Sequence, residues 1–212
     1  VYNSAILIDR SGRVVGAYHK MWPTVGELNE GVTPGEDAFV VETDFGKIGF
    51  AICFDLNFRP AGEANQHKGA KLIAFPEVYI PAYPYWNRLD NPYRGREFFV
   101  KLVKNSVEIP SPATEKLCTC ARRANAYVVM GINEKVPETL GTIYNTNFLI
   151  DPRGNILGAH RKLVPTFIEK ITWGGGDGST LRVYDTECGK LGMLNCGENT
   201  NSLARFALIA QG

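Results

Sequence analysis

Long apolar runs are missing from this 212-residue chain: none approaches the roughly 20 residues that a bilayer-spanning helix needs, so a membrane is not an expected partner. Charge imbalance is missing as well. Lys and Arg number 23 against 22 Asp and Glu, a net charge of +1, and the basic residues do not collect into a run. Nucleic acid is therefore not an expected partner either. Histidine is scarce, at His19, His67 and His160, and the three are scattered. Cys118 and Cys120 form only a CxC pair, so a zinc site is poorly supported. The five cysteines are odd in number and lack framework spacing, which points to reduced thiols and a cytoplasmic setting. No signal-like segment opens the chain. It starts VYNSAILID, without methionine and already inside a strand, and reads as a fragment or processed product. What is present is ordinary for a globular protein: 44% hydrophobic and 21% charged residues, at a length that buries a substantial core.

The chain repeats itself. Residues 2–27, YNSAILIDRSGRVVGAYHKMWPTVGE, match residues 144–169, YNTNFLIDPRGNILGAHRKLVPTFIE, at an offset of 142. Tyr2, Asn3, Asp9, Gly12, Gly16, Lys20, Pro23, Thr24 and Glu27 are among the residues that recur. After one inserted residue, ETDFGKIGFAIC matches DTECGKLGMLNC, and the copies end at Cys53 and Cys196. Each copy reads as β-structure: a hairpin from YNSAILID and VVGAYHK, then strands AFVVETD and KIGFAIC around the turn at DFGK. Between the copies the period changes. RPAGEANQHKGA reads as a short helix, and AKLIAFPEV as a strand covered on both faces. REFFVKLVKNSVE and SPATEKLCTCARRANA read as helices, the second with Ser111 as N-cap, Pro112 at its first position and Glu115 in its first turn. AYVVMGINE is another strand, and the alternation indicates an α/β layered fold.

Three residues at strand ends carry the candidate chemistry: Glu77 in FPEV, Lys162 in HRKLVPT and Cys196 in LNCGEN. A thiol attacks an electrophilic carbon as a thiolate or with a base nearby, and a carboxylate can be that base. A lysine ammonium beside them favours the thiolate and stabilises negative charge developing on substrate nitrogen or oxygen. The N–H of Gly197, at the start of the helix after the cysteine, could add a donor.

These residues resemble the nitrilase (carbon–nitrogen hydrolase) superfamily, whose members use a Glu–Lys–Cys set. FPEVYIPAYPYW resembles the glutamate motif of the nitrilase branch, HRKLVPTFIEK its lysine motif, and LNCGENTN with LARFALIAQG its cysteine motif and following helix. By position, the resemblance implies Glu77 as general base, Lys162 as charge stabiliser and Cys196 as nucleophile. Glu169 matches a further active-site glutamate that would position Lys162 and substrate. The implied fold is a four-layer α-β-β-α sandwich, and the implied partners are a small nitrile or amide and further copies in a homodimer or higher homo-oligomer. No metal or organic cofactor is implied.

Residues 1–59 resemble the lysine and cysteine segment of the same superfamily, with YHKMWPT and ICFDLNFRP closer to its amidase-like branches. Glutamate, lysine and cysteine normally occur once each. Here a lysine–cysteine segment precedes the glutamate, and little follows Cys196. The expectation is one domain over 1–212, assembled from segments 1–59 and 60–212 by fusion or recombination near RPAGEANQHKGA, with the sandwich incomplete or rearranged. Lys20, Glu27 and Cys53 are the second-copy candidates, and without an FPE-like motif upstream Cys53 reads as a structural remnant.

Several residues carry bland readings beside functional ones. Glu198 either serves the site or caps the helix after it. Tyr79, Tyr83, Tyr85 and Trp86 line a pocket or belong to core. GGGDGS at 174–179 lacks the GK[ST] ending of a phosphate loop and reads as a plain loop. The leading function is hydrolysis of a nitrile to acid and ammonia through a cysteine thioimidate and acyl-enzyme. The alternatives are an amidase on the same triad and an inert fusion serving as an assembly or binding module.

Overall fold

A computed structural model describes residues 1–44, 46–52, 55, 69–89 and 91–212. The chain divides into two compact units, Val1–Ile73 and Ala74–Gly212. Cys53, and most of the expected helix RPAGEANQHKGA, lie outside the described residues.

In the first unit β1 (Ser4–Ile8) and β2 (Val14–His19) pair antiparallel, with a register shift at Leu7/Ile8. The turn forms because the Asp9 carboxylate accepts the N–H of Ser11 and of Arg13, each at 2.9 Å, and Gly12 takes a left-handed φ of 84° that favours glycine. A single-turn helix α1 (Val25–Asn29) follows, capped by Thr24 with Glu27 reaching back. The hairpin of β3 (Val40–Thr43) and β4 (Gly46–Gly49) comes next. Ile48 of β4 pairs in parallel with Leu72 of β5 (Leu72–Ala74).

The second unit contains helices α2 (Pro92–Asn105) and α3 (Pro112–Ala124), the antiparallel strands β6 (Tyr127–Lys135), β7 (Ile143–Ile150) and β8 (Ile156–Arg161), the hairpin β9 (Val183–Thr186) and β10 (Gly189–Gly192), and helix α4 (Ser202–Ile209). The ends of α3 are set locally. Ser111 accepts the Thr114 N–H, Pro112 stands at the first position, Arg122 and Arg123 close the last turn, and Asn125 takes the left-handed cap conformation. Helix α2 starts earlier than its apolar periodicity indicates, because Asn91 caps it through the N–H groups of Tyr93 and Arg94.

The main core lies along one face of β6, where Val128, Met130 and Ile132 alternate toward Phe148 and Ile150 of β7 and Ala121 of α3. A second cluster joins Val78, Leu102, Ile143 and Trp173. The expected strand AKLIAFPEV is regular only over Leu72–Ala74. Pro76 has no N–H to give a ladder, and Val78 is left-handed at φ 43°, so the segment turns at Glu77. It rejoins β6 at Ile80, whose N–H donates to the Gly131 carbonyl at 3.2 Å. Gly131 permits this approach: a Cβ there would lie 2.2 Å from the Pro76 carbonyl oxygen.

The repeat holds in three dimensions. β7 and β8 have the register of β1 and β2, from Thr146↔Arg161 to Ile150↔Ile156, with the shift at Leu149/Ile150. Asp151 builds their turn as Asp9 builds the first, accepting the N–H of Arg153 at 2.9 Å and of Asn155 at 2.8 Å.

Candidate active site

Glu77 leaves the turn that Gly131 allows, Lys162 follows β8, and Glu169 lies in a short helical turn, Phe167–Ile171, entered from Thr166. The three meet. The buried Lys162 Nζ donates to Glu77 Oε1 at 2.7 Å and to Glu169 Oε2 at 2.8 Å. Glu77 Oε1 also accepts from Asn145 Nδ2 at 2.7 Å. Glu169 accepts the Thr166 N–H at 2.7 Å and the Tyr83 hydroxyl at 2.9 Å. Burial pulls the Lys162 ammonium downward, but its hydrogen bonds to Glu169 and Glu77 outweigh that and hold it above the ordinary lysine value. Burial likewise pushes Glu169 upward, and Lys162, the Thr166 N–H and Tyr83 bring it below the usual carboxylate range. The cluster is a fixed ion network, not a set of free groups.

Cys196 is exposed and opens the turn Cys196–Thr200. Its φ is +45°, a left-handed value that costs a non-glycine residue about 1–3 kcal/mol unless its surroundings enforce it. Four non-glycine residues among those described have positive φ: Val78, Asn125, Phe167 and Cys196. Asn125 ends a helix; the other three lie beside Glu77, beside Glu169 and at the candidate nucleophile. Strained backbone of this kind gathers at functional sites. The lysine loop and the cysteine turn adjoin each other, since a Cβ on Gly197 would stand 3.3 Å from Thr166 Oγ1. A cleft of about 300 Å³ lies between them, lined by Leu163, Pro165, Phe167, Lys170, Gly197 and Glu198.

Of the residues singled out in the sequence, Glu77, Lys162 and Glu169 share one hydrogen-bonded network, and Cys196 and Gly197 begin the adjoining turn. In the first unit the buried Lys20 Nζ donates to both oxygens of Glu27, at 2.9 and 2.7 Å. That ammonium and the Thr24 N–H lower the Glu27 carboxyl to about 2. Tyr83 is held between Glu169 and the Trp173 ring, 5.5 Å away between centroids. Tyr79 and Trp86 join hydrophobic clusters, and Tyr85 is exposed against Tyr83. The GGGDGS segment forms a loop that ends in a 3-10 turn, Gly178–Thr180, capped by Asp177. Two groups escaped the sequence reading. Asn145 was legible only as the partner of Asn3 in the repeated YN pair, and His160 only as the replacement of Tyr18.

With this geometry in place, the comparisons are specific. The fold is of the layered α/β class, and it brings the Glu77, Lys162 and Glu169 side chains together. The profile described as Carbon-nitrogen hydrolase matches residues 1–61 and again 61–212, and the chain belongs to that family. It is 44% identical over 150 residues to Nitrilase 2 of Arabidopsis thaliana, which covers 68% of this chain and 43% of that protein. It is 46% identical over 131 residues to a nitrilase of Bacillus sp. (strain OxB-1), covering 62% of this chain and 38% of that protein. The chain therefore spans less than half the length of these curated relatives. Among solved structures, an amidase of the nitrilase superfamily from Nesterenkonia AN1 superposes with a TM-score of 0.51 at 18% identity, over 70% of this chain and 51% of that one. A carbon-nitrogen hydrolase from Helicobacter pylori G27 superposes with a TM-score of 0.53 at 20% identity, over 69% of this chain and 47% of that one. At such identities the likeness concerns the fold, the α-β-β-α sandwich class of the superfamily.

Proposed function

We propose that this chain hydrolyses a nitrile to a carboxylic acid and ammonia. The observation that carries the reading is Lys162 Nζ bridging Glu77 and Glu169 at 2.7 and 2.8 Å, on the loop next to the turn that bears Cys196. Of the three charged side chains Glu77 is the most exposed, at 20%, so it is placed to exchange protons with substrate and water. Cys196 gives its thiol proton to Glu77 as its sulfur bonds to the nitrile carbon. The nitrile nitrogen takes that proton, giving a thioimidate. One water adds to the carbon and ammonia leaves, which produces a thioester. A second water releases the acid and restores the thiol. Lys162 and the Gly197 N–H stabilise the charge that develops on nitrogen and then oxygen, and Glu169 holds Lys162 in place. The names of the relatives at 44% and 46% identity, all nitrilases, favour nitrile over amide. An amide would enter the same cycle by losing ammonia from its tetrahedral adduct.

The same reading includes a homodimer or higher homo-oligomer in the cytoplasm. Helix α4 supports the first part, since it presents Leu203, Phe206 and Ile209 to solvent. No helix among the described residues is long and apolar enough to cross a membrane.

Ammonia release from a panel of nitriles and amides tests the reading on the parent chain, Cys196→Ala and Cys53→Ala. Activity on nitriles that disappears only with Cys196→Ala is the expected result. Loss only with Cys53→Ala would move the site to the first copy, and no release from a folded parent would leave the inert assembly module.

A further inference from the structure

Cys196 is exposed and sits in a strained conformation, so something other than its own packing must hold it. The residue that ties its turn to the lysine loop is Glu198, which is 5% exposed. One carboxylate oxygen accepts the N–H of Leu163, the residue after Lys162, at 2.7 Å. The other accepts the N–H of Asn195, the residue before Cys196, at 2.7 Å. The buried His160 ring completes the set, with Nε2 at 3.1 and 3.2 Å from the two oxygens and Nδ1 at 3.0 Å from Thr180 Oγ1. Burial pushes the Glu198 carboxyl upward, and His160 with the two N–H groups brings it below the usual range. An ionised carboxylate only accepts, so Nε2 is the donor to Glu198. A helix cap needs the Asn195 bond alone. It does not need the bond to the lysine loop or the ring.

The first copy builds the same joint from different residues. Asp55, fully buried and two residues after Cys53 as Glu198 is after Cys196, accepts the N–H of Ile52 at 2.8 Å and of Trp22 at 2.8 Å. Tyr18 takes the place of His160 and donates its hydroxyl to Asp55 at 2.7 Å, while accepting the Met21 N–H at 3.3 Å. The carboxylate is one methylene shorter and the ring partner one hydroxyl longer. The two changes offset each other, and the N–H after the lysine moves from carboxylate to tyrosine.

Resting on the reading of Cys196 as nucleophile, we propose that Glu198 and His160 are a positioning pair that locks the cysteine turn onto the lysine loop. The first copy supplies an interchangeable version of it. Glu198 touches no reacting atom in this role. It fixes where the thiol stands relative to Lys162 and Glu77, and a displacement of about 1 Å at such a site costs on the order of 100-fold in rate.

The test uses the full chain with Glu198→Gln, His160→Gln, His160→Tyr, Glu198→Asp and the double variant His160→Tyr with Glu198→Asp. Gln at 198 keeps the size but aims an amide donor at groups that themselves donate. Each variant is measured for kcat and KM of ammonia release, for melting temperature, and for the iodoacetamide alkylation rate of Cys196, with the exposed Cys120 as internal reference. Each single variant should lower kcat by about 10- to 100-fold with little change in KM, and slow Cys196 alkylation relative to Cys120. The double variant should recover most of both losses. Parent-like kcat and alkylation in a folded Glu198→Gln chain would overturn the proposal, as would a double variant no better than the product of its singles. If the parent releases no ammonia the nitrilase reading fails, and the alkylation ratio alone then decides the positioning pair.

Discussion

The two copies of the repeat fold alike and are wired differently. In the second, Lys162 divides its hydrogen bonds between Glu77 and Glu169, and Asn145 supports Glu77. In the first, Lys20 places two bonds on Glu27, and Asn3 donates to the same carboxylate at 2.6 Å. Among the described residues, one further carboxylate in the second copy turns an ion pair into a network with a half-buried acid at its edge. The hydrophobic side differs in the same sense. Phe148 and Ile150 are fully buried beneath β6 and α3, whereas their counterparts Ile6 and Ile8 are 59% and 58% exposed. A strand can keep its register without keeping its burial, because backbone ladders and turn residues fix the first and neighbouring elements supply the second.

The widest gap between the copies should appear on replacing the lysine. Lys162→Met removes the group that neutralises Glu77 and Glu169, and should lower kcat/KM for ammonia release by about 1,000-fold or more. Breaking such a buried pair also costs about 3–5 kcal/mol, read from urea denaturation. Lys20→Met should destabilise the first unit but change kcat by less than about twofold. Equal losses from the two substitutions would erase the functional distinction between the copies.

Core truncation comes next. Ile150→Ala should cost about 2–5 kcal/mol, and Ile8→Ala, at the same place in the repeat, no more than about 0.5 kcal/mol. Similar urea midpoints for these two would show that the first hairpin is as well covered as the second. Gly131→Ala should follow at about 1–3 kcal/mol. Its Cβ meets the Pro76 carbonyl at 2.2 Å and displaces the turn carrying Glu77, so kcat should fall more than the melting temperature indicates. A fully active alanine variant would show that Glu77 does not depend on this approach.

The smallest effect is the response to acid. Glu27 titrates near 2 in the folded chain against an ordinary value of 4.5. Its contribution is therefore complete above about pH 4.5 and is lost as the pH falls toward 2. Glu169 and Glu198 are lowered as well and act in the same direction. Urea midpoints should fall between pH 6 and pH 3, and Glu27→Gln should flatten part of that slope. A midpoint that rises on acidification would contradict the ion-pair assignment in both copies.

Much of this was legible in the chain because it is local. Asp9 and Asp151 bond residues two and four positions ahead, and Ser111 bonds three ahead, so the hairpin turns and the start of α3 follow from short spacings. The link between Lys162 and Glu169 is also short, seven residues across a turn, and was repeated between Lys20 and Glu27. The partners that complete the site are remote. Glu77 and Lys162 are separated by 85 residues, Tyr83 and Glu169 by 86, and Asn145 and Glu77 by 68. No periodicity or spacing pairs such residues, since their meeting depends on how strands stack and on a glycine that lets one backbone approach another.

The sequence by itself determined the repeat, the hairpins, the helix ends and which residue types could carry nucleophilic chemistry, because each rests on contacts within a few residues. Only the tertiary structure decided that Lys162 would serve two carboxylates where Lys20, among the described residues, serves one, and that Glu198 would join the cysteine turn to the lysine loop. Those outcomes depend on hydrogen-bond distances between chain-distant groups, set by the packing around β6.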